Sequence, residues 1–410
     1  MARKFEKNLI VALDIGTSKI AALVAEVTPD NQLEIVGFGV HPSRGLKRGV
    51  VVNIEATVQS IQRAVEEAEL MAACDIHSAY TGIAGSHIRS VNSHGIVAIR
   101  DREVNQADVD RVIDAAKAVA IPADQRILHI LPQEFIVDAQ EGVREPVGMS
   151  GVRLEAKVHI VAGAVSAAQN ITKSVRRCGL QVNDIILEPL ASSYAVLSDD
   201  EKELGVCMVD IGGGTTDIAI FKDGAIRHTA VIPVAGDHVT NDIAVTLRTP
   251  TQNAEQIKRQ FASVSLSSID SSDVISVPGI SKRPHQQIQR KGLAQVVYAR
   301  YEELFSLVLA ELRRSGFEDI ISAGIVLTGG ASKVEGCVEL AESVFRMPVR
   351  IGLPQYVSGL MDVREDPTYS TAVGLLLYGL QQQENPDPFV LNRGLPSVWS
   401  RMRSWFQGNF

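Results

Sequence analysis

Three glycine-rich turns hold the residues of this chain whose types and spacing could do chemistry. "DIGTSK" spans 14–19, "DIGGGTTD" spans 210–217 and "LTGGASKVEG" spans 327–336. The first two each join two β-rich runs, and the third follows the apolar run Ile325, Val326 and Leu327. Gly16, Gly212, Gly213 and Gly214 let the backbone bend where other residues cannot. Backbone N–H groups and the hydroxyls of Thr17, Ser18, Thr215 and Thr216 can then donate to phosphate oxygens, and Lys19 adds a cation. Asp14 and Asp210 end one strand each, and two carboxylates facing across a cleft suit a hydrated Mg²⁺ on the β- and γ-phosphates. A tight hairpin alone would account for "DIGTSK". Three consecutive glycines cost backbone entropy with no packing return, so "DIGGGTTD" asks for a closer explanation. No G-x-x-x-x-G-K-[ST] occurs, which sets the strand-to-helix P-loop aside.

The elements that must position these turns form an internal echo. "LIVALDIGTSKIAALVAEV" and "GVCMVDIGGGTTDIAIFKDG" share one layout, with Asp210 matching Asp14, and strand-then-helix patterns follow both. A duplicated core with one hairpin turn per half is the natural reading, in an α/β fold. "VQSIQRAVEEAELMAAC" spaces Ile61, Val65, Ala68 and Ala72 as one helical face. Residues 85–162 read as an inserted subdomain with short strands and a helix starting near Asn105, with Asp108 in its first turn. A second insertion runs from 233 to 304, Ser-rich and ending in a long helix that Gly316 closes. The expected division is 1–84 plus 163–204 for the first core, 205–232 plus 305–382 for the second, and 383–394 for a Pro-containing linker.

Composition bounds the class. The 410 residues are 45% hydrophobic and 21% charged, with net charge −8. This is globular, and the acid excess argues against nucleic acid as a partner. Cys74, Cys178, Cys207 and Cys337 show no C-x-x-C spacing, so buried free thiols are expected rather than a disulfide framework or zinc site. The first apolar run is short and breaks at Asp14, so no signal peptide is expected. No run approaches the ~18 residues of a membrane span.

Both tryptophans lie in "SVWSRMRSWFQGNF". On a helix, Leu395, Val398, Trp399, Met402, Trp405 and Phe406 form one apolar stripe, while Arg401, Arg403 and the serines take the other side. No acid follows Asp387, and Arg393, Arg401 and Arg403 give the tail +3, leaving the remainder at −11. A cationic amphipathic strip on an acidic body suits an anionic leaflet, with tryptophan at the headgroup boundary. A helix packed back on the body, or one that binds a partner, would carry the same stripe.

The order of the three turns resembles the two phosphate motifs and the adenosine motif of the actin, DnaK-type chaperone and sugar-kinase superfamily. The resemblance implies an actin-like fold, two duplicated α/β halves around a nucleotide cleft with two inserted subdomains, and ATP with Mg²⁺ as ligands. It places Gly329, Gly330 and Ala331 under the nucleotide. "AEQIK" is similar to the segment touching adenine and ribose, through Glu255 and Lys258. "EPLASSYAVL" and "STAVGLLLYG" resemble the two interdomain connections. Glu188 falls where relatives place a water-orienting residue, and Asp217 is the other catalytic candidate; for both, a solvated strand end is the competing reading. A small-molecule kinase would need an acceptor pocket with a catalytic carboxylate, and a chaperone would need a β-rich domain after the last motif.

Within that superfamily "HPSRGLKRGVV", "ILPQEFIVDAQEGVREPVGMSGVRLEAKVHI" and "SAGIVLTGG" resemble the actin-like family of bacterial cell division. The implied protein has weak ATP turnover at most and polymerises head to tail. It tethers filaments of the tubulin-like FtsZ to the cytoplasmic face of the inner membrane at the division site. The second insertion, through Arg300 and Glu303, is where that family docks the FtsZ C-terminal peptide; Lys282, Arg283, Arg290 and Lys291 add positive charge there. Later division proteins are expected at the 85–162 subdomain, and residues 395–410 are the expected membrane-targeting helix.

Overall fold

The computed structural model describes residues 8–280 and 284–384. Both hairpins form. Leu9–Ile15 pairs antiparallel with Lys19–Val27, and Val206–Ile211 pairs antiparallel with Thr216–Lys222. These strands read as near-continuous apolar runs because both sheet faces are covered. The echo extends to topology. Leu9–Ile15 runs parallel to Ser78–Ile83 on its other side, and Val206–Ile211 runs parallel to Ile325–Thr328.

The first sheet has six strands in the order Gln181–Leu187, Ser78–Ile83, Leu9–Ile15, Lys19–Val27, Leu33–Pro42 and Val357–Gly359. The second has five: Ala225–Ile232, Thr216–Lys222, Val206–Ile211, Ile325–Thr328 and Val349–Ile351. Helix Ile54–Ala72, capped by the Asn53 side chain on the Ala56 N–H, buries Ile61, Val65 and Ala68 in the first core. Residues between the two halves of the first core build a separate four-stranded sheet, Arg89–Ala98, Arg153–Ala164, Gln125–Val137 and Gln140–Val143. Helix Gln106–Ala116 starts on the expected residues, with Asn105 and Asp108 forming a reciprocal capping box. Its Val112 and Ile113 pack on Ile130, Leu154 and Ile160 as a core of their own.

Residue 304, the expected end of the second insertion, lies inside the continuous helix Arg290–Ser315, which runs on to Gly316 in the left-handed region as expected. The reason is hydrophobic continuity: Leu293, Val297, Tyr301, Leu304, Phe305, Val308 and Leu312 form one buried stripe across the boundary. The end of the expected second core, 305–382, also divides differently. Strand Val357–Gly359 adds to the edge of the first sheet, and helix Ser370–Glu384 buries Ala372, Val373, Leu375 and Leu376 in the first core. There its Gly379 lies against Ile10 and Tyr80 of the first sheet.

The expected connections are helices Glu188–Val196 and Ser370–Glu384, which cross at close range. A Cβ on Gly374 would lie 1.8 Å from the carbonyl oxygen of Ala191 and 2.4 Å from its carbon. Those are backbone atoms that cannot step aside. Gly374→Val should therefore force the connectors apart and destabilise the fold by about 2 kcal/mol or more, read as a lowered urea midpoint. A midpoint within experimental error of the wild type would show that the crossing is not tight.

Candidate nucleotide cleft

The two D-x-G turns, 196 residues apart, meet face to face. A Cβ on Gly213 would fall 1.8 Å from Ser18 Oγ, and one on Gly214 would fall 2.6 Å from Thr17 Oγ1. The glycine triplet thus has a packing reason: it lets one turn approach the hydroxyls of the other. Thr17 Oγ1 accepts from the Gly49 N–H at 2.9 Å, and Ser18 Oγ donates to Asp237 at 3.3 Å, which bridges the halves. Among the described residues, the N–H groups of Thr17, Ser18, Gly213 and Gly214 donate to no acceptor. Free amides of this kind are donors awaiting an anion.

The carboxylates converge on the same place. Asp14, Asp210 and Asp217 are all buried, at 5%, 8% and 4% exposure, although each carries a potential charge. Lys19 Nζ donates to Asp14 Oδ2 at 2.6 Å and lies 5.3 Å from the centre of the Tyr369 ring. Burial works against the Lys19 charge, but Asp14, and then Tyr369 and Asp210, outweigh it and raise its pKa. Asp210 Oδ2 accepts from Ser192 at 2.6 Å and Thr371 at 3.4 Å, one hydroxyl from each connector helix. Burial still raises the Asp210 carboxyl, with Asp14 adding to the rise. Burial and then the Asp210 charge push Asp217 to about 7, although Thr215 donates to it at 2.9 Å. Its Oδ1 is buried without a hydrogen-bond partner. Glu188, the first residue of its helix, is driven well above the usual carboxylate range by burial and by Asp14, Asp217 and Asp210. Gly82 makes room for it; a Cβ there would lie 2.7 Å from Glu188 Cγ.

The third turn closes the floor. Gly329 has φ +83, and a Cβ on it would sit 2.3 Å from Asp210 Oδ1. Gly330 faces Thr368, and the Ala331 carbonyl accepts from the buried Tyr301 hydroxyl at 2.6 Å. Thr216 is fully buried, its hydroxyl donating to the Val234 carbonyl, so it does not face the cleft as a free donor. That corrects its expected phosphate role: the alternation of the strand turns Thr216 inward while Thr215 stays beside Asp217.

Helix Thr251–Phe261 carries Glu255 and Lys258 to the same region. Lys258 Nζ donates to the Gly236 carbonyl at 3.1 Å and the Thr240 hydroxyl at 2.8 Å, and meets Glu255 at 2.7 Å. Burial opposes the Glu255 charge, but Lys258, Thr240 and Arg259 carry its pKa down to about 2. Gly236 in turn donates to the Gly212 carbonyl, so this ion pair is tied to the second turn.

Three contributors escaped the sequence reading: Ser192 and Thr371, which hold Asp210 from the connectors, and Asp237, which spans to Ser18. Their only signal was a hydroxyl within each connection motif and the acid of "AGDH", which spacing alone does not single out. Among the described residues no cluster of three or more His, Cys, Asp or Glu has the form of a metal site. Two cavities, about 450 Å³ beside His41 and Arg44 and about 340 Å³ beside Leu131 and Tyr194, are lined by none of the turn residues. Charge and close glycine contacts mark the cleft.

Arg300, on the long helix, donates to Asp242 at 2.6 and 3.0 Å and to Glu303 at 2.6 Å. The hydrogen bonds and charge of Asp242, with the charge of Glu303, raise its pKa and hold its guanidinium on its own chain. Arg290 is likewise paired, with Glu335 at 2.9 Å. The expected membrane strip of Leu395, Val398, Trp399, Arg401, Met402, Arg403, Trp405 and Phe406 lies outside the described residues, as do Lys282 and Arg283. Among the described residues no helix is long and apolar enough to cross a membrane.

Comparison with known proteins places this geometry. The family model described as "Cell division protein FtsA" matches residues 207–374, and "SHS2 domain inserted in FTSA" matches residues 85–162. The Cell division protein FtsA of Pseudomonas aeruginosa is 65% identical over 417 aligned positions, covering 100% of both chains. Among solved structures, a chain of the PilM-PilN type IV pilus biogenesis complex superposes with TM-score 0.67 at 17% identity, over 90% of this chain and 98% of that one. MreB 5 of Spiroplasma citri bound to AMPPNP superposes with TM-score 0.56 at 16% identity, over 93% of this chain and 98% of that one. The fold is therefore actin-like, and the chain belongs to the FtsA family of cell-division proteins.

Proposed function

We propose that this cell-division protein binds ATP with Mg²⁺ in the cleft between its two D-x-G turns and assembles with copies of itself. In this reading it tethers FtsZ filaments to the inner face of the cytoplasmic membrane through residues 395–410. The observation that carries the nucleotide reading is the crowding of Asp14, Asp210, Asp217 and Glu188 around one lysine. Such a cluster is over-supplied with negative charge unless protons or a cation relieve it. The residues suit a polyphosphate with its cation: free amides at Thr17, Ser18, Gly213 and Gly214 for the phosphates, Asp14 and Asp210 for hydrated Mg²⁺, and Gly329, Gly330 and Ala331 beneath the nucleoside. Glu255 and Lys258 would line the base and ribose. Mg²⁺ would supply charge neutralisation. The chain's own part is to hold Asp210 through Ser192 and Thr371, and to keep Glu188 and Asp217 protonated until a cation arrives. At most slow hydrolysis is proposed, with Glu188 orienting water. The solved MreB 5 relative was bound to AMPPNP, which agrees with this reading.

Membrane residence would rest on the +3 tail. One amphipathic segment of this size binds reversibly, and assembly multiplies tails along a filament, so polymerisation would convert weak contacts into stable attachment. The Arg300–Asp242 pair sits where the FtsZ C-terminal peptide is proposed to dock, and an incoming acidic peptide would exchange with Asp242 rather than meet a bare cation. The 85–162 subdomain, with its own core, is proposed to receive later division proteins.

Three outcomes test these points. Asp210→Asn should lower Mg²⁺-dependent ATP affinity at least ~10-fold in calorimetry, about 1.4 kcal/mol, while ATP binding without Mg²⁺ changes little; unchanged affinity would remove Asp210 from the site. The raised pKa of Asp217 means that the folded state retains a proton which the unfolded chain releases near 3.8. Stability from this group is complete below that value and lost as pH rises through about 7. Asp217→Asn should therefore gain about 2–3 kcal/mol relative to wild type on going from pH 5 to pH 8, and a constant difference across that range would contradict the assignment. Trp405→Glu should cut flotation with anionic vesicles roughly tenfold without altering the fold, since burying such a ring contributes about 1.5–3 kcal/mol; undiminished flotation would refute the anchor.

A further inference from the structure

Away from the cleft, a cavity of about 340 Å³ opens where three bodies meet. One wall is strand Gln125–Val137 of the inserted subdomain, through Leu131, Pro132 and Phe135. Another is connector helix Glu188–Val196, through Leu190 and Tyr194. The third is the hairpin of the second core, through Phe221 and Ile226, with Lys202 from the short helix Asp199–Leu204 at the rim. The volume falls within the range of small-ligand pockets, and the mixture of apolar walls with a few polar groups is the usual composition of one.

Lys202 is the cation at the mouth. Its side chain is 15% exposed, and its ammonium pairs at 3.8 Å with the fully exposed carboxylate of Asp199. It lies 5.6 Å from the centre of the Tyr194 ring. Burial lowers its pKa, against the charge and hydrogen bond of Asp199 and the charge of Glu201. The other cation of the lining, Arg144, is already bound to Glu203 and the Asp223 carbonyl. A largely buried ammonium whose ion pair with Asp199 is long and solvent-facing, over an aromatic ring and at the mouth of an apolar cavity, can take a closer counter-ion.

The wall itself is built rather than accidental. Pairing with strand Arg153–Ala164 skips a residue at Gln133, a bulge between Pro132 and Glu134. The bulge aims Gln133, 9% exposed, at the Ile226 carbonyl at 2.8 Å, which fixes the strand against the second core beside the cavity. The floor is therefore held in place independently of any occupant.

We infer that this cavity is a second binding site, for a small amphipathic anion whose carboxylate pairs with Lys202 and whose flat apolar body lies between Leu190, Tyr194, Phe221 and Ile226. An occupant would touch the inserted subdomain, the connector that begins at Glu188 and the second core together, and so would brace the three against relative movement. This inference does not depend on what fills the nucleotide cleft.

The test uses the full chain and 4-(trifluoromethyl)phenylacetate, observed by ¹⁹F NMR, with the uncharged 4-(trifluoromethyl)phenylacetamide as control. The acid should bind at least about tenfold tighter than the amide, the worth of one good charge-assisted contact. Lys202→Met, which keeps the apolar stem, should remove that preference, and Lys202→Arg should retain it. Circular dichroism checks that both variants fold. Equal binding of acid and amide, an acid affinity unmoved by Lys202→Met, or no binding of the acid at millimolar concentration would each overturn the site.

Discussion

Mutual repulsion among buried carboxylates is the constraint around which this protein is organised. Asp14, Asp210, Asp217 and Glu188 converge from three separate segments, and among the described residues Lys19 is the one cation bonded directly to one of them. A folded chain gains nothing by gathering such charges; it must hold them protonated, or cancel them with a ligand, at a cost that the rest of the core offsets. The buried, partnerless Oδ1 of Asp217 shows the same imbalance in hydrogen bonding. The apposed glycine turns belong to this logic, because they bring amide donors to the carboxylates without interposing side chains.

The connector helices make that cluster sensitive to the relative placement of the two halves. Ser192 and Thr371 sit on different connectors, yet both donate to the same oxygen of Asp210, a residue of the second core. The hydroxyls are also 2.9 Å from each other. Rotation of one half against the other would have to break this three-way contact, and the tight crossing at Gly374 leaves little freedom to slide instead. Connector helices and site thus share atoms. In the proposed function, that sharing is what would let nucleotide occupancy alter the surfaces through which copies assemble.

Much of this was legible because it is repeated or punctuated. The duplicated hairpins could be read from "DIGTSK" and "DIGGGTTD", since a D-x-G turn between apolar runs has few alternatives. The Asn105 start and the Gly316 stop were legible because caps are local chemistry. The return of residues 357–384 to the first core was not legible: helix Ser370–Glu384 is apolar nearly all round, so its pattern does not say which core it joins. The inward turn of Thr216 was hidden by its place in a motif of two buried threonines, one donating to Asp217 and the next to the Val234 carbonyl. Ser192 and Thr371 were hidden for a related reason, as small hydroxyls in apolar helices that read as packing.

The central claim is that the cleft keeps protons in place of a cation and surrenders them when Mg²⁺ and ATP arrive. Calorimetric titration of the full chain with Mg·ATP at pH 7, repeated in buffers of different ionisation enthalpy, counts those protons. With Asp217 near 7 and Glu188 also raised, the account predicts a net release of roughly half a proton or more per nucleotide bound. Binding with no proton release, or with uptake, would contradict it.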